Sequence, residues 1–283
     1  MKQEQMKAEY IWDMIQRIRA NRPIIHCITN AVTVNDCANV LLAVGASPTM
    51  AHHPLEVAEI VEGADALVCN FGAIEDYEAM LTAGQKAAEL GKPVVVDPVG
   101  VSGSGYRREK CLDFIKNIHP SCIRGNYSEI RALLGNCSTV TGVDAAASDT
   151  DKDPEKQRGL LQEMGEFSQK YRVILAASGE MDLLTDGTTE IRIGNGHPDM
   201  TRITGTGCMS SVMFGAFLSQ KNEVRTAAAA CAWMGIAGEL AAERTQARHG
   251  GTMTFHDCFL DEMSLLKRED IERRKQVSII CSP

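Results

Sequence analysis

The 283-residue chain lacks several features, and each absence closes off a class of protein. Its ten cysteines are Cys27, Cys37, Cys69, Cys111, Cys122, Cys137, Cys208, Cys231, Cys258 and Cys281. None forms a CxxC pair, and no Cys/His cluster has zinc-finger spacing. Several lie inside apolar runs, as small core residues of a reducing compartment do. No uninterrupted apolar stretch reaches the about 18 residues of a membrane span. There is no basic surplus either: Lys+Arg 29 against Asp+Glu 37 gives −8. That balance excludes a non-specific nucleic-acid binder, which needs a basic field, but leaves room for a small anionic ligand held by a few local donors. Proline is scarce, 9 against 24 glycines, so tight turns outnumber rigid linkers. No Pro/Gly/Ser linker and no fixed-period repeat divides the sequence, and residues 1–283 are expected to form one domain. The opening MKQEQMKAEYIWDMIQRIRA is polar and mixed in charge, with no apolar core of a signal segment. A cytoplasmic location is the expectation.

What is present is an ordinary globular composition, 44% apolar and 23% charged, and a regular alternation of patterns. Ile11, Met14, Ile15 and Ile18 recur at helical spacing, predicting a helix over residues 6–20. Short apolar runs at 24–28, 66–70, 93–97, 121–124 and 173–177 read as buried strands. Helical segments fall between them at 35–44, 54–62, 76–90, 107–118 and 128–134, and a short extended piece at 48–50. Asp186-Gly187 between apolar runs is a hairpin signal. Residues 148–158 form the most polar stretch, a loop running into a helix that ends near Tyr171. The Ala-rich stretches 208–219 and 223–243 are helical. Strands alternating with helices of this length predict an α/β architecture, three layers α/β/α with a mostly parallel sheet.

In such sheets ligands bind beyond the carboxyl ends of the strands. Unusual polar residues collect there: Thr29-Asn30, Asn70, Asp97, Arg124-Gly125-Asn126 and Ser178-Gly179-Glu180. The sharpest motif is Thr204-Gly205-Thr206-Gly207-Cys208-Met209-Ser210-Ser211, directly ahead of an apolar helix. Its glycines let backbone approach a ligand, and the unpaired amides of a helix start favour an anion. It is neither a P-loop nor GxGxxG, and a simple tight turn would read the same way. Cys208 at a helix start is expected to have a pKa below the reference of about 8.5, as nucleophile, base or merely a small residue.

Asn126 with Glu129 reads either as a capping box or as oxygen ligands around the water shell of a Mg2+ ion. Arg124 ends a buried strand, a costly place for a guanidinium unless it meets phosphate or carboxylate. Asp97, at the end of the clearest strand, suits a metal-bound water or a hydroxyl. Met50 belongs either to the core or to an apolar ligand pocket. The adjacent His52 and His53 point to opposite sides and make no metal pair. His26 reads as a core histidine.

Together these segments resemble the hydroxyethylthiazole kinases, a branch of the ribokinase-like superfamily. The strings are PIIHCITN (23–30), GASPTMA (45–51), VVVDPVG (94–100), IRGN (123–126) with Glu129, Ser178-Gly179-Glu180, Asn195-Gly196-His197 and ITGTGC (203–208). The resemblance implies a ribokinase-like fold, ATP as co-substrate, Mg2+, a thiazole alcohol as acceptor, and a homotrimer with sites at subunit interfaces. It implies Met50, Gly205 and Asn30 for the substrate, and Arg124, Ser178 and Asn126 for ATP. It places Asp97 and Glu129 in the metal region, and the loop Gly205, Thr206, Gly207 and Cys208 at the chemistry, with Cys208 where related kinases carry an aspartate base. Two residues depart from the pattern: Ser178 where threonine is common, and Thr206 where alanine is frequent, the latter adding a hydroxyl close to the transferring phosphate. Competing readings are a kinase for another heterocyclic alcohol of the hydroxymethylpyrimidine or pyridoxal type, a thiol enzyme pairing Cys208 with His197, and a non-catalytic sensor.

Overall fold

The computed structural model describes residues 2–135 and 153–281. In chain order its strands are β1 (Lys2–Gln5), β2 (Ile24–Ile28), β3 (Ser47–Thr49), β4 (Ala66–Asn70), β5 (Val94–Asp97), β6 (Cys122–Asn126), β7 (Ile174–Ser178), β8 (Asp182–Thr185), β9 (Thr189–Ile193) and β10 (Val277–Cys281). The helices are α1 (Ala8–Asn21), α2 (Val34–Val44), α3 (Val57–Gly63), α4 (Tyr77–Glu89), α5 (Gly105–Ile118), α6 (Tyr127–Leu133), α7 (Pro154–Tyr171), α8 (Thr206–Leu218), α9 (Val224–Ala247), α10 (Thr252–Leu265) and α11 (Arg268–Arg274). The strands join in one sheet, ordered β1-β10-β9-β8-β7-β6-β5-β4-β2-β3. From β3 to β7 every pairing is parallel, and from β7 to β1 every pairing is antiparallel.

The period-2 geometry of a strand divides the core into two layers. In β4, Ala66 and Val68 face one apolar cluster while Leu67 and Cys69 face the other. The same split runs through β7, where Ile174 and Ala176 oppose Leu175 and Ala177. Helices α1, α2, α8, α9 and α10 cover the first face, and α3 to α7 the second. Strands with both sides covered must be apolar throughout, so they read as continuous runs rather than alternations.

The sequence-based elements match this structure with shifts of one to three residues at most ends. Asp186 builds the expected hairpin, its Oδ1 accepting the backbone N–H of Thr188 and Thr189 at 2.9 and 2.8 Å, with Gly187 at φ 89°. The polar loop expected at 148–158 lies outside the described residues as far as position 152; helix α7 starts at Pro154, capped by Asp153. Strands β1 and β10 escaped the sequence reading. They pair with each other, Lys2 opposite Cys281 and Gln5 opposite Ser278, and extend the sheet beyond the hairpin.

Helix α8 is the structural centre. Every residue from Met209 to Leu218 is buried, the two serines included, and it packs on β2, β4 and β5 while α9, α2 and α1 enclose it. Contact that close requires a glycine at 215: a β-carbon there would sit 2.7 Å from Val68 Cγ2 and 3.1 Å from Ile25 Cγ2. Gly215→Ala is therefore expected to cost about 1–3 kcal/mol by overpacking. The measurement is the urea midpoint, which should fall at an unchanged slope; an unaltered midpoint would show that α8 has room to shift.

Candidate active site

Because the parallel strands share a direction, β2, β4, β5, β6 and β7 end along one edge of the sheet. The start of α8 lies under that edge. Gly205 caps it with a left-handed backbone, φ 89° and ψ −8°, a conformation that glycine adopts without strain. The first intrahelical bond at this end runs from Met209 N to Gly205 O at 2.8 Å. The amides of Thr206, Gly207 and Cys208 precede it and so have no partner inside the helix.

Four strand ends converge on this turn. Asn70 ends β4 and spends both amide hydrogens here, one on Asp97 Oδ2 at 2.9 Å and one on Cys208 Sγ at 3.2 Å. Asn30, just past β2, reaches the same sulfur at 3.4 Å. Asp97 ends β5, is 1% exposed, and also accepts the Ser211 hydroxyl at 2.7 Å. Ser211 stands one helical turn beyond Cys208, so both face the strand ends. Arg124, on β6, donates from Nη1 to Gly207 O at 3.1 Å and from Nη2 to Ser178 Oγ at 2.8 Å, linking β6, β7 and the loop.

Asn126 and Glu129 form the capping box in full. Asn126 Oδ1 accepts Glu129 N at 2.8 Å and Glu129 Oε2 accepts Asn126 N at 2.9 Å. The second carboxylate oxygen of Glu129 takes Gly100 N at 3.2 Å, tying α6 to the loop after β5. Both alternatives for this pair thus use the same atoms, since a carboxylate oxygen that accepts one backbone hydrogen keeps a lone pair.

The site is short of positive charge. Burial pushes the Asp97 carboxyl up from its ordinary value, against the pull of Arg124, Ser211 and Asn70. Burial first, and the nearby Asp97 second, raise Glu129 to about 7. Arg124 draws down both, and it also faces Asp182, which burial raises to about 6 while the Gly179 amide donates to it at 3.1 Å. Asp182 carries no sequence signal of its own, sitting four residues beyond Ser178 inside a hairpin pattern. Ser211 closes the loop motif, but nothing in the sequence marks its hydroxyl for Asp97.

Cys208 departs from expectation. Its thiol is raised, chiefly by burial and then by the charge of Asp97, with the amides of Asn30 and Asn70 working the other way. The helix-start effect is outweighed because Cys208 packs under the strand ends beside a carboxylate. Among the described residues the sulfur's hydrogen-bond partners are the amides of Asn30 and Asn70 and not a histidine; His197 is exposed, with its Nδ1 3.6 Å from Asp199 Oδ2. The Thr206 hydroxyl does not hang free over the loop; it donates to Met200 O at 3.0 Å. Met50 follows β3, half-buried against the core beside the end of β2. His26 is fully buried with Nε2 on Ala51 O at 2.8 Å, a core histidine as expected.

Among the described residues no group of three or more His, Cys, Asp or Glu forms a metal cage, and no helix is long and apolar enough to cross a membrane. The donor set still suits a hydrated divalent cation. Asp97 and Glu129 form a buried acidic pair that raises its own proton affinity, and a cation held through its waters would relieve it.

Comparison with known proteins gives a consistent result. Residues 15–269 match the model of the hydroxyethylthiazole kinase family. A hydroxyethylthiazole kinase from Clostridium botulinum is 38% identical over 270 residues, covering 94% of this chain and 95% of that protein. A solved structure of a hydroxyethylthiazole kinase protein from Pyrococcus horikoshii superposes with a TM-score of 0.84 at 31% identity, over 96% of this chain and 99% of the other. A ribokinase-like superfamily protein from Enterococcus faecalis shares the fold at TM-score 0.58 and 11% identity, over 92% and 95% of the two chains.

The raised thiol makes a direct prediction. Alkylation of Cys208 by iodoacetamide, followed on its own peptide by mass spectrometry, should be slow at neutral pH. It should climb through a midpoint above the about 8.5 of a free thiol. A midpoint below 8 would restore the activated thiolate.

Proposed function

The chain belongs to the hydroxyethylthiazole kinase family, and we propose how its residues transfer a phosphoryl group from ATP to the hydroxyl of 4-methyl-5-(2-hydroxyethyl)thiazole. The observation that carries this assignment of roles is the convergence of Arg124, Asn70 and Asp97 on the first turn of α8.

Phosphoryl transfer through a loose transition state asks for alignment and charge neutralisation more than for a strong base. The amides at 206–208 and the guanidinium of Arg124 face the charge that develops on the transferring group. Arg124 holds Gly207 by its carbonyl, which leaves the amide side of that turn toward the phosphate. Ser178 and Asn126, at the ends of β7 and β6, are the nucleotide contacts. Met50, Asn30 and the Gly205 backbone form the thiazole side, with the apolar wall fixing the ring so that the hydroxyethyl arm lies in line.

Cys208 occupies the position of a base, but its raised thiol is a weak one at neutral pH. A hydroxyl that loses its proton late needs little more. Asn30 and Asn70 hold its sulfur toward the reacting group. Mg2+ would be held by Asp97 and Glu129 through its coordinated waters, and it supplies neutralisation of the ATP phosphates when bound.

In the same reading the whole chain acts as one catalytic domain in the cytoplasm, where its thiols stay reduced, and it assembles as a homotrimer. What supports assembly is apolar exposure around the acceptor end. Val32 before α2, Leu55 after β3 and Met253 at the start of α10 are 74%, 90% and 69% exposed. Strand β3 is short and forms one edge of the sheet. Light scattering on the purified protein should give three chain masses; a monomer at micromolar concentration would reject the assembly.

The reaction is tested by coupled ADP release with ATP, Mg2+ and hydroxyethylthiazole. Turnover should require all three and fall at least about a hundredfold in Arg124→Ala and in Asp97→Ala, the size expected for lost transition-state stabilisation. Hydroxymethylpyrimidine and pyridoxal, tried as acceptors, should be poor by kcat/KM. Faster turnover on either of them would move the substrate within the fold.

A further inference from the structure

Asp36 and His256 stand 220 residues apart, and no motif marks them. Asp36 lies in the first turn of α2, and its Oδ1 accepts the Nε2 hydrogen of His256, on α10, at 3.0 Å. Each side chain is 18% exposed. The other ring nitrogen of His256 is buried without a hydrogen-bond partner, and Asp257 Oδ1, 3.6 Å away, is beyond that reach. The ring is therefore oriented by Asp36.

The second oxygen of Asp36 faces the catalytic loop. A β-carbon placed on Gly205 would come to 3.5 Å from Asp36 Oδ2, and to 3.1 and 3.4 Å from Thr33 Cγ2 and Cβ. The first turn of α2 is thus the wall on which Gly205 rests. Thr33 continues that wall, its hydroxyl donating to Asn30 Oδ1 at 3.2 Å, and the Asn30 amide in turn reaches Cys208. Arg124 fixes the same loop two residues further on, at Gly207 O. One end of the loop is anchored by a cation from β6. The other rests on a turn whose own place depends on a bond to α10.

We infer that Asp36 and His256 are positioning residues for the acceptor alcohol, setting the Gly205 backbone where the thiazole meets it and leaving the nucleotide side to Arg124. The inference rests on the roles assigned above. A carboxylate bonded to an imidazole N–H is held more firmly than one in water. Without that bond Asp36 is free to turn outward, and the contact between Thr33 and Gly205 loosens.

The test is steady-state kinetics on His256→Ala, His256→Gln, Asp36→Ala and the double alanine variant, with thiazole and ATP varied separately. His256→Ala should raise KM for the thiazole about tenfold, as the loss of one charge-assisted bond does, with KM for ATP within twofold of the parent. His256→Gln, whose amide donates from a similar place, should recover to within about threefold. The double variant should be no worse than either single one, because the two act as a unit. Hydrogen exchange gives a readout that needs no substrate: the amide of Met209, bonded to Gly205 O at 2.8 Å, should exchange faster in His256→Ala, and those at 124–126 unchanged. Absence of thiazole turnover in the parent protein would fault the kinase roles, while the exchange result would still decide the positioning. Equal rises in both KM values, an unaltered thiazole KM in every variant, or unchanged exchange at Met209 would each overturn it.

Discussion

Unpaired backbone amides must be left somewhere at the start of every helix, and here they are left at the carboxyl edge of the sheet, on half-buried residues. Helix α8 is enclosed along its body by the sheet and by three other helices, while its first turn, Thr206 to Cys208, is half-buried beside the strand ends. That constraint orders the rest. The strand ends have to supply groups that tolerate such a neighbour, which is why Asn70, Asp97 and Arg124 meet there rather than apolar residues. The loop must carry a left-handed residue at Gly205 to enter the helix at that angle. In the proposed mechanism a phosphoryl anion is the partner of these amides.

The charge arrangement follows from the same burial. Three carboxyl groups, Asp97, Glu129 and Asp182, share the field of one guanidinium, and burial raises all three despite it. A buried acidic group usually finds a full counter-charge or gives up its own. This site does neither completely. It is held in an intermediate condition by backbone amides at Gly100, Asn126 and Gly179, which are fixed dipoles rather than mobile ions.

Most of the architecture was legible because the central strands are covered on both sides and so appear as unbroken apolar runs. Val94-Val95-Val96-Asp97 could hardly be read otherwise. Strand β1, Lys2–Gln5, was invisible for the opposite reason: Lys-Gln-Glu-Gln has no apolar pattern, and its pairing with β10 comes from chain ends brought together by the whole fold. Within the site, residues at strand ends could be listed from the sequence, since polarity after an apolar run stands out. Asp182 could not, because it is placed by a hairpin rather than by a run ending, and the bond from Ser211 to Asp97 is set by a helical turn that the motif does not reveal. The thiol of Cys208 runs against the sequence expectation because a sequence shows a helix start but neither the burial of the sulfur nor the carboxylate beside it. The Asp36–His256 pair illustrates the general limit: two exposed-looking residues on different helices acquire meaning only when α10 packs against α2.

The forked guanidinium has a consequence for how this edge of the sheet moves. Arg124 grips Gly207 O and Ser178 Oγ from separate nitrogens, so the start of α8 and the end of β7 are tied through one rigid plane. A lysine would keep the charge but is a single point donor on a flexible stem. It would hold one partner and release the other, and the two elements would then shift independently.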